Sequence, residues 1–225
     1  MTAATLPAPP NVRPTWRGVI HLIAFCLTPA LAATMIALAA VESGRAAVGA
    51  SVYCASMAAM FGVSALYHRK TWSGRGWQVM RRLDHATIFV FIAGTYTAFG
   101  LLALDGVTRW WVLCTVWAGC LVGVVLKLRW PHAPRWVGVP IYLAVGWIAV
   151  AVVGDIATNA GIAALVLLLA GGLVYTLGGV AYATHRPDPK PGSFGYHEVF
   201  HLLTVIAATC QYVAVFLAIY RSPLT

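Results

Sequence analysis

Seven stretches of about twenty apolar residues, at 19–41, 47–67, 84–104, 110–126, 136–154, 160–183 and 198–220, dominate the chain. A helix of roughly twenty apolar residues covers the hydrocarbon core of a bilayer. Only helices or closed barrels cross lipid, because every backbone N–H and C=O needs an internal partner there. The runs lack the apolar–polar alternation of barrel strands. The expectation is an all-α polytopic membrane protein, a bundle of seven transmembrane helices. Composition agrees: 60% of the 225 residues are hydrophobic and 9% charged, against about 25% charged in soluble domains. Residues 1–17, with Pro7, Pro9, Pro10 and Pro14, read as a disordered cytoplasmic tail, and residues 18–225 as a single transmembrane domain. A secretory signal is the competing reading of the first run, but that run exceeds the apolar core of about 7–15 residues such signals carry.

The net charge of +9 is explained by its placement. Twelve of the fifteen Lys and Arg fall in the tail and in alternate loops, leaving Arg45, Arg109 and Arg221 for the other side. The positive-inside rule then puts the N-terminus in the cytoplasm and the C-terminus outside. Contact with anionic lipid accounts for the charge, and nucleic acid is not expected as a partner. Trp72, Trp77, Trp110, Trp111, Trp130 and Trp136 stand near run ends, as interfacial anchors do. The five cysteines are scattered through apolar runs without a C-x-x-C pair and read as small buried residues. Gly119 with Gly123, and Gly94 with Ala98, fit the small-xxx-small pattern of close helix contact.

All seven histidines fall on the predicted cytoplasmic side: His21, His68, His85, His132, His185, His197 and His201. His197 and His201, four residues apart at the head of the last run, share one helix face and can share a metal ion, commonly zinc. His197-Glu198-Val199-Phe200-His201 also spells the H-E-x-x-H pattern of zinc proteases. The competing reading is a pair of interfacial histidines capping a helix. His68 is the best third ligand, with Ser64 one turn deeper on the same face. Three histidines leave a fourth position for water, the catalytic arrangement. Asp84 could hold that water or take its proton, and Ser64 could hydrogen-bond the water or the carboxylate. Asp84 could instead cap a helix beginning near it. Glu198 is the rival base. His85 reads as interfacial or as a partner of the ligands, His21 and His185 as interfacial packing ahead of partners of the ligands, and His132 as solvated. Tyr96 and Thr97 could line a cavity, or Thr95 and Thr97 could bond their own backbone.

Ser64-x-x-x-His68, then Leu83-Asp84-His85 with Ala93-Gly94-Thr95-Tyr96-Thr97, then His197-x-x-x-His201 resemble the three motifs of the haemolysin III proteins. These are the bacterial branch of the progestin and adiponectin receptor superfamily. The resemblance implies zinc on His68, His197 and His201 near the cytoplasmic face, with Ser64 and Asp84 beside a zinc-bound water. It also implies seven helices, a bacterial plasma-membrane location, and a link to membrane homeostasis. The superfamily is grouped with alkaline ceramidases, which suggests hydrolysis of a lipid amide. Membrane lipids are the expected partners. A protein hormone is not, since the chain lacks the long cytoplasmic and extracellular parts of the animal receptors. Beside a hydrolase stand three other readings: a sensor or regulator with a structural zinc, a haemolysin-type pore-former, and an intramembrane protease using Glu198.

Overall fold

The computed structural model describes residues 13–130 and 134–221; the readings made for residues 1–12 and His132 lie outside them. Four long helices come first: α1 (Val19–Glu42), α2 (Gly44–Arg69), α3 (Gly74–Ala103) and α4 (Gly106–Arg129). A fifth crossing is assembled from α5 (Arg135–Gly146), a 3-10 segment (Trp147–Val152) and α6 (Val153–Asn159). Then follow α7 (Ile162–Thr184) and α8 (Tyr196–Arg221). Seven helical segments among the described residues are long and apolar enough to cross a membrane. Their packing closes a ring: α1 on α2, α2 on α3, α3 on α4, α4 on α5, α5 on α7, α7 on α8, and α8 back on α1. Helix α3 also touches α5, α6 and α8, so it runs through the middle of the bundle.

The contacts follow from small residues. Gly94 of α3 faces Ser56 and the Val52 carbonyl of α2, and Gly49 of α2 faces the Ala98 backbone of α3. Gly123 of α4 lies under the Phe89 ring, and Gly119 against Val145 of α5. Both small-xxx-small pairs therefore serve close helix contact. A Cβ at Gly94 would meet the Val52 carbonyl at 3.3 Å and collide with Ser56. The Ser56 hydroxyl is itself committed to the Tyr53 carbonyl at 2.8 Å. Gly94→Ala is accordingly expected to cost about 1–3 kcal/mol by overpacking, read as a lower midpoint in thermal unfolding of the detergent-solubilised protein. An unchanged midpoint would show that α2 and α3 have slack at this crossing.

The fifth crossing is broken where lipid would punish a break. Its 3-10 geometry leaves backbone groups that water cannot reach. Tyr96 of α3 answers two of them: its hydroxyl donates to the Gly146 carbonyl and accepts the Ala149 N–H, both at 2.7 Å. Thr95 and Thr97 bond the Phe91 and Ala93 carbonyls of their own helix, at 2.9 and 2.7 Å. Trp77, Trp110, Trp111 and Trp130 are exposed near helix ends, where interfacial anchors belong. The cysteines differ from expectation: all five are free, but Cys26 and Cys114 are exposed on the outer surface of the bundle.

Candidate metal centre

Helices α2 and α8 bring the three histidines together. His68 is in the last turn of α2 and His197 and His201 are in the first turns of α8. One ring nitrogen from each lies within 4.8 Å of the others. The His68 and His197 Nε2 atoms are 3.2 Å apart. Two nitrogens bound at about 2.0–2.1 Å to one tetrahedral ion stand about 3.3–3.4 Å apart. The spacing of these two therefore fits a shared ion, and the cluster can hold one. His201 is buried, and its Nδ1 has no partner.

Asp84 stands beside this cluster without joining it. Its Oδ2 is 3.8 Å from His68 Nε2 and 3.9 Å from His85 Nδ1. The Ser64 hydroxyl, one turn before His68 on α2, faces the Asp84 carboxylate. Helix α3 begins ten residues before Asp84, at Gly74. Asp84 therefore does not cap the helix. A carboxylate largely shielded from water is costly unless it is paired, so its position calls for a functional account. Ser64, Asp84, His197 and His201 line one small cavity of about 30 Å³. One water needs about 10–15 Å³ on this measure.

Glu198 is placed differently. Its Oε2 accepts the Gly195 N–H at 2.9 Å, the bond that the third-position glutamate makes in a capping box, though Gly195 has no side chain to return one. Its Oε1 accepts from Arg17 Nε. Both oxygens are thus engaged in holding the start of α8 and the segment before α1, and Glu198 does not line the cavity. Glu198→Gln is expected to lower stability by about 1–3 kcal/mol, since one donor of this buried cluster loses its acceptor. Metal content and any turnover should stay within a few-fold of the parent. Retained metal with abolished turnover would instead identify Glu198 as the base.

The remaining histidines take distinct places. His85 Nδ1 bonds the Arg81 carbonyl at 2.7 Å and Nε2 faces the Tyr182 hydroxyl at 3.4 Å, so neither nitrogen is free to ligate. His185 packs against Tyr196, away from the cluster. His21, expected at the interface, is buried inside the bundle. Its ring stacks on His201 at 3.9 Å and 6°, fixing the plane of that imidazole. Arg17 and Trp16 were counted with the tail. In the structure Trp16 N–H donates to the Ser193 carbonyl at 3.2 Å, and Arg13 Nη1 donates to the Arg69 carbonyl at 2.7 Å. This segment therefore spans from the end of α2 to the start of α8. Nothing in the local pattern marks such contacts, because their partners are more than fifty residues away.

A second, larger cavity of about 110 Å³ adjoins the first. The two share Met60, Ile88, Tyr142, Phe200 and Thr204 in their walls. Its wall is mainly apolar, drawn from α3, α5, α7 and α8, with Phe91, Phe99, Leu143 and Leu168 among the residues.

Fold and site together define a multi-pass membrane protein with a three-histidine centre at one end of a seven-helix bundle. The family described as haemolysin-III related matches residues 11–212, and the chain belongs to it. It is 30% identical over 166 residues to the hemolysin-3 homolog of Bacillus subtilis, covering 73% of this chain and 78% of that one. It is 26% identical over 189 residues to hemolysin-3 of Bacillus cereus, covering 84% and 83%. It is also 25% identical over 208 residues to the human monocyte to macrophage differentiation factor, covering 89% and 82%. These likenesses place the chain in the haemolysin III branch of the progestin and adiponectin receptor superfamily.

Proposed function

We propose that this protein is a zinc-dependent hydrolase of lipid amides, ceramide-like in substrate class, acting within the membrane in which it resides. The observation that carries the reading is the junction of two cavities. A small space bounded by Asp84, Ser64, His197 and His201 shares wall residues with a larger, mainly apolar space that would suit an acyl chain. A carbonyl at that junction would have its tail in the apolar cavity and its polar group against the histidines.

His68, His197 and His201 are the residues that would hold zinc. Zinc in such a site supplies a Lewis acid for the carbonyl and lowers the pKa of water toward neutrality. The chain's own residues do the rest. Asp84 orients the attacking water and takes its proton, as a general base must from within hydrogen-bond reach. Ser64 holds the carboxylate. His85, fixed by the Arg81 carbonyl and facing Tyr182, borders Asp84 on its other side. The stacked His21 keeps His201 in plane. The basic end of the bundle, where this centre lies, would face the cytoplasm by the positive-inside rule.

The test is hydrolysis of a panel of ceramides, N-acyl amides and glycerolipid esters by zinc-loaded protein in mixed micelles, beside a working ceramidase. Release of free fatty acid from an amide, abolished by a chelator and restored by zinc, is expected. No product from any lipid class, with the control active, would sink the hydrolase. A regulator with a closed, structural metal site would then be the better reading.

A further inference from the structure

The apolar cavity holds two polar groups that the fold leaves unsatisfied. Other hydroxyls in its wall are committed: Thr95 to the Phe91 carbonyl, Thr204 to the Phe200 carbonyl, and Tyr96 to the broken crossing. The Tyr175 hydroxyl and Gln211 Oε1 are shielded from solvent and have no partner. Both residues line the cavity. Gln211 itself is only 7% exposed. Buried polar atoms are normally bonded, and those that are not call for an explanation.

The two residues stand on the neighbouring helices α7 and α8. Gly171 of α7 is small enough to admit the Gln211 side chain: a Cβ there would be 3.1 Å from Gln211 Cγ and 3.3 Å from Nε2. Tyr175 is one turn along α7 from Gly171, on the same face. They also lie at a defined depth. Gln211 is ten residues beyond His201 on α8, which is roughly 15 Å along the helix axis. A phenol donates, and an amide oxygen accepts. Together they suit a group that both accepts and donates one hydrogen bond, which is a hydroxyl.

We infer that the deep end of the cavity is a specificity site for a hydroxylated acyl chain, with Tyr175 and Gln211 recognising an oxygen on the chain. The depth sets its position. With C–C bonds of about 1.5 Å, the hydroxyl falls roughly ten to twelve carbons from the carbonyl. This rests on the reading of the cavity as an acyl site, and it concerns binding, so its test needs no turnover. A water trapped between the two groups is the competing occupant, and the test separates the two.

The experiment is equilibrium binding to the detergent-purified, zinc-loaded full chain. The probes are octadecanoic acid, its mid-chain hydroxy derivative (hydroxyl about twelve carbons from the carboxyl, as reckoned from the helix rise), and its derivative hydroxylated next to the carboxyl. In the parent protein the mid-chain hydroxy acid is expected to bind about tenfold tighter than the other two. In Tyr175→Phe and Gln211→Leu, both near-isosteric, that advantage should fall toward one while octadecanoic acid binds as before. The ligand-free midpoint of Gln211→Leu should equal or exceed the parent's, because an unsatisfied amide oxygen has been removed. Equal binding of all three acids in the parent overturns the inference and leaves the acyl cavity standing. A lowered ligand-free midpoint in both variants would show the pair bonded to internal water and would also overturn it. Failure of every acid to bind overturns the cavity reading and the inference together.

Discussion

Replacing His201 by alanine is expected to empty the metal centre. The parent should carry about one metal ion per chain and the variant background levels, since two histidines cannot complete a site that needs three protein ligands. Metal measured by plasma mass spectrometry on detergent-purified protein checks this. The variant should also unfold earlier. A ligand present at a thousand times its dissociation constant contributes about 4 kcal/mol to the folded state, and that contribution goes with the ion. Chelation should therefore lower the parent's midpoint and leave the variant's where it is. His85→Ala is the contrast, because both His85 nitrogens already face other groups, the Arg81 carbonyl and the Tyr182 hydroxyl. That variant should keep its metal. A full complement of metal in His201→Ala would mean the ion sits elsewhere, and the three-histidine centre would be lost.

Asp84→Asn should separate holding the metal from using it. Asp84 stands outside the histidine cluster yet 3.8 Å from one of its nitrogens. Asparagine matches its size and keeps a hydrogen-bond acceptor for Ser64, but it cannot take a proton. Metal content is expected to match the parent, while turnover of a lipid amide falls by about 10²–10⁴, the usual worth of a positioned base. Stability should hold or rise. A carboxylate largely shielded from water costs free energy that its amide does not. Loss of metal in Asp84→Asn would instead make the carboxylate a ligand, close the site, and favour the regulator.

Much of this could be read from residue order, and what could not has physical reasons. Apolar length reveals crossings because lipid demands it, and the seven runs correspond to the seven crossings. The same criterion places the start of α3 near 84, whereas the helix begins at Gly74. The first ten residues contain Arg75, Arg81 and Arg82, and a helix that extends beyond hydrocarbon leaves no apolar trace. That shift removes Asp84 from the helix end and changes its meaning. The fifth crossing reads as one apolar run over 136–154, and its 3-10 segment leaves no local trace because it depends on Tyr96 of another helix for its backbone bonds. The i, i+4 spacing of His197 and His201, and the turn between Ser64 and His68, are local geometry and were legible. Glu198 was ambiguous as part of an H-E-x-x-H string. Its bond to the Gly195 N–H had only a weak local signal, since glutamate commonly takes the third helical position but the Ser or Thr that completes a capping box is missing at 195. Its bond to Arg17 joins residues 181 apart, and the stack of His21 on His201 joins the first helix to the last. No periodicity announces either.

Anomalous diffraction at the zinc edge from crystals of zinc-loaded protein tests the open three-histidine zinc site most directly. The predicted result is one strong peak among His68, His197 and His201, with the Asp84 oxygens beyond bonding distance and a water within reach of both. A peak ligated by Asp84 as well, or no peak among the histidines, would contradict it.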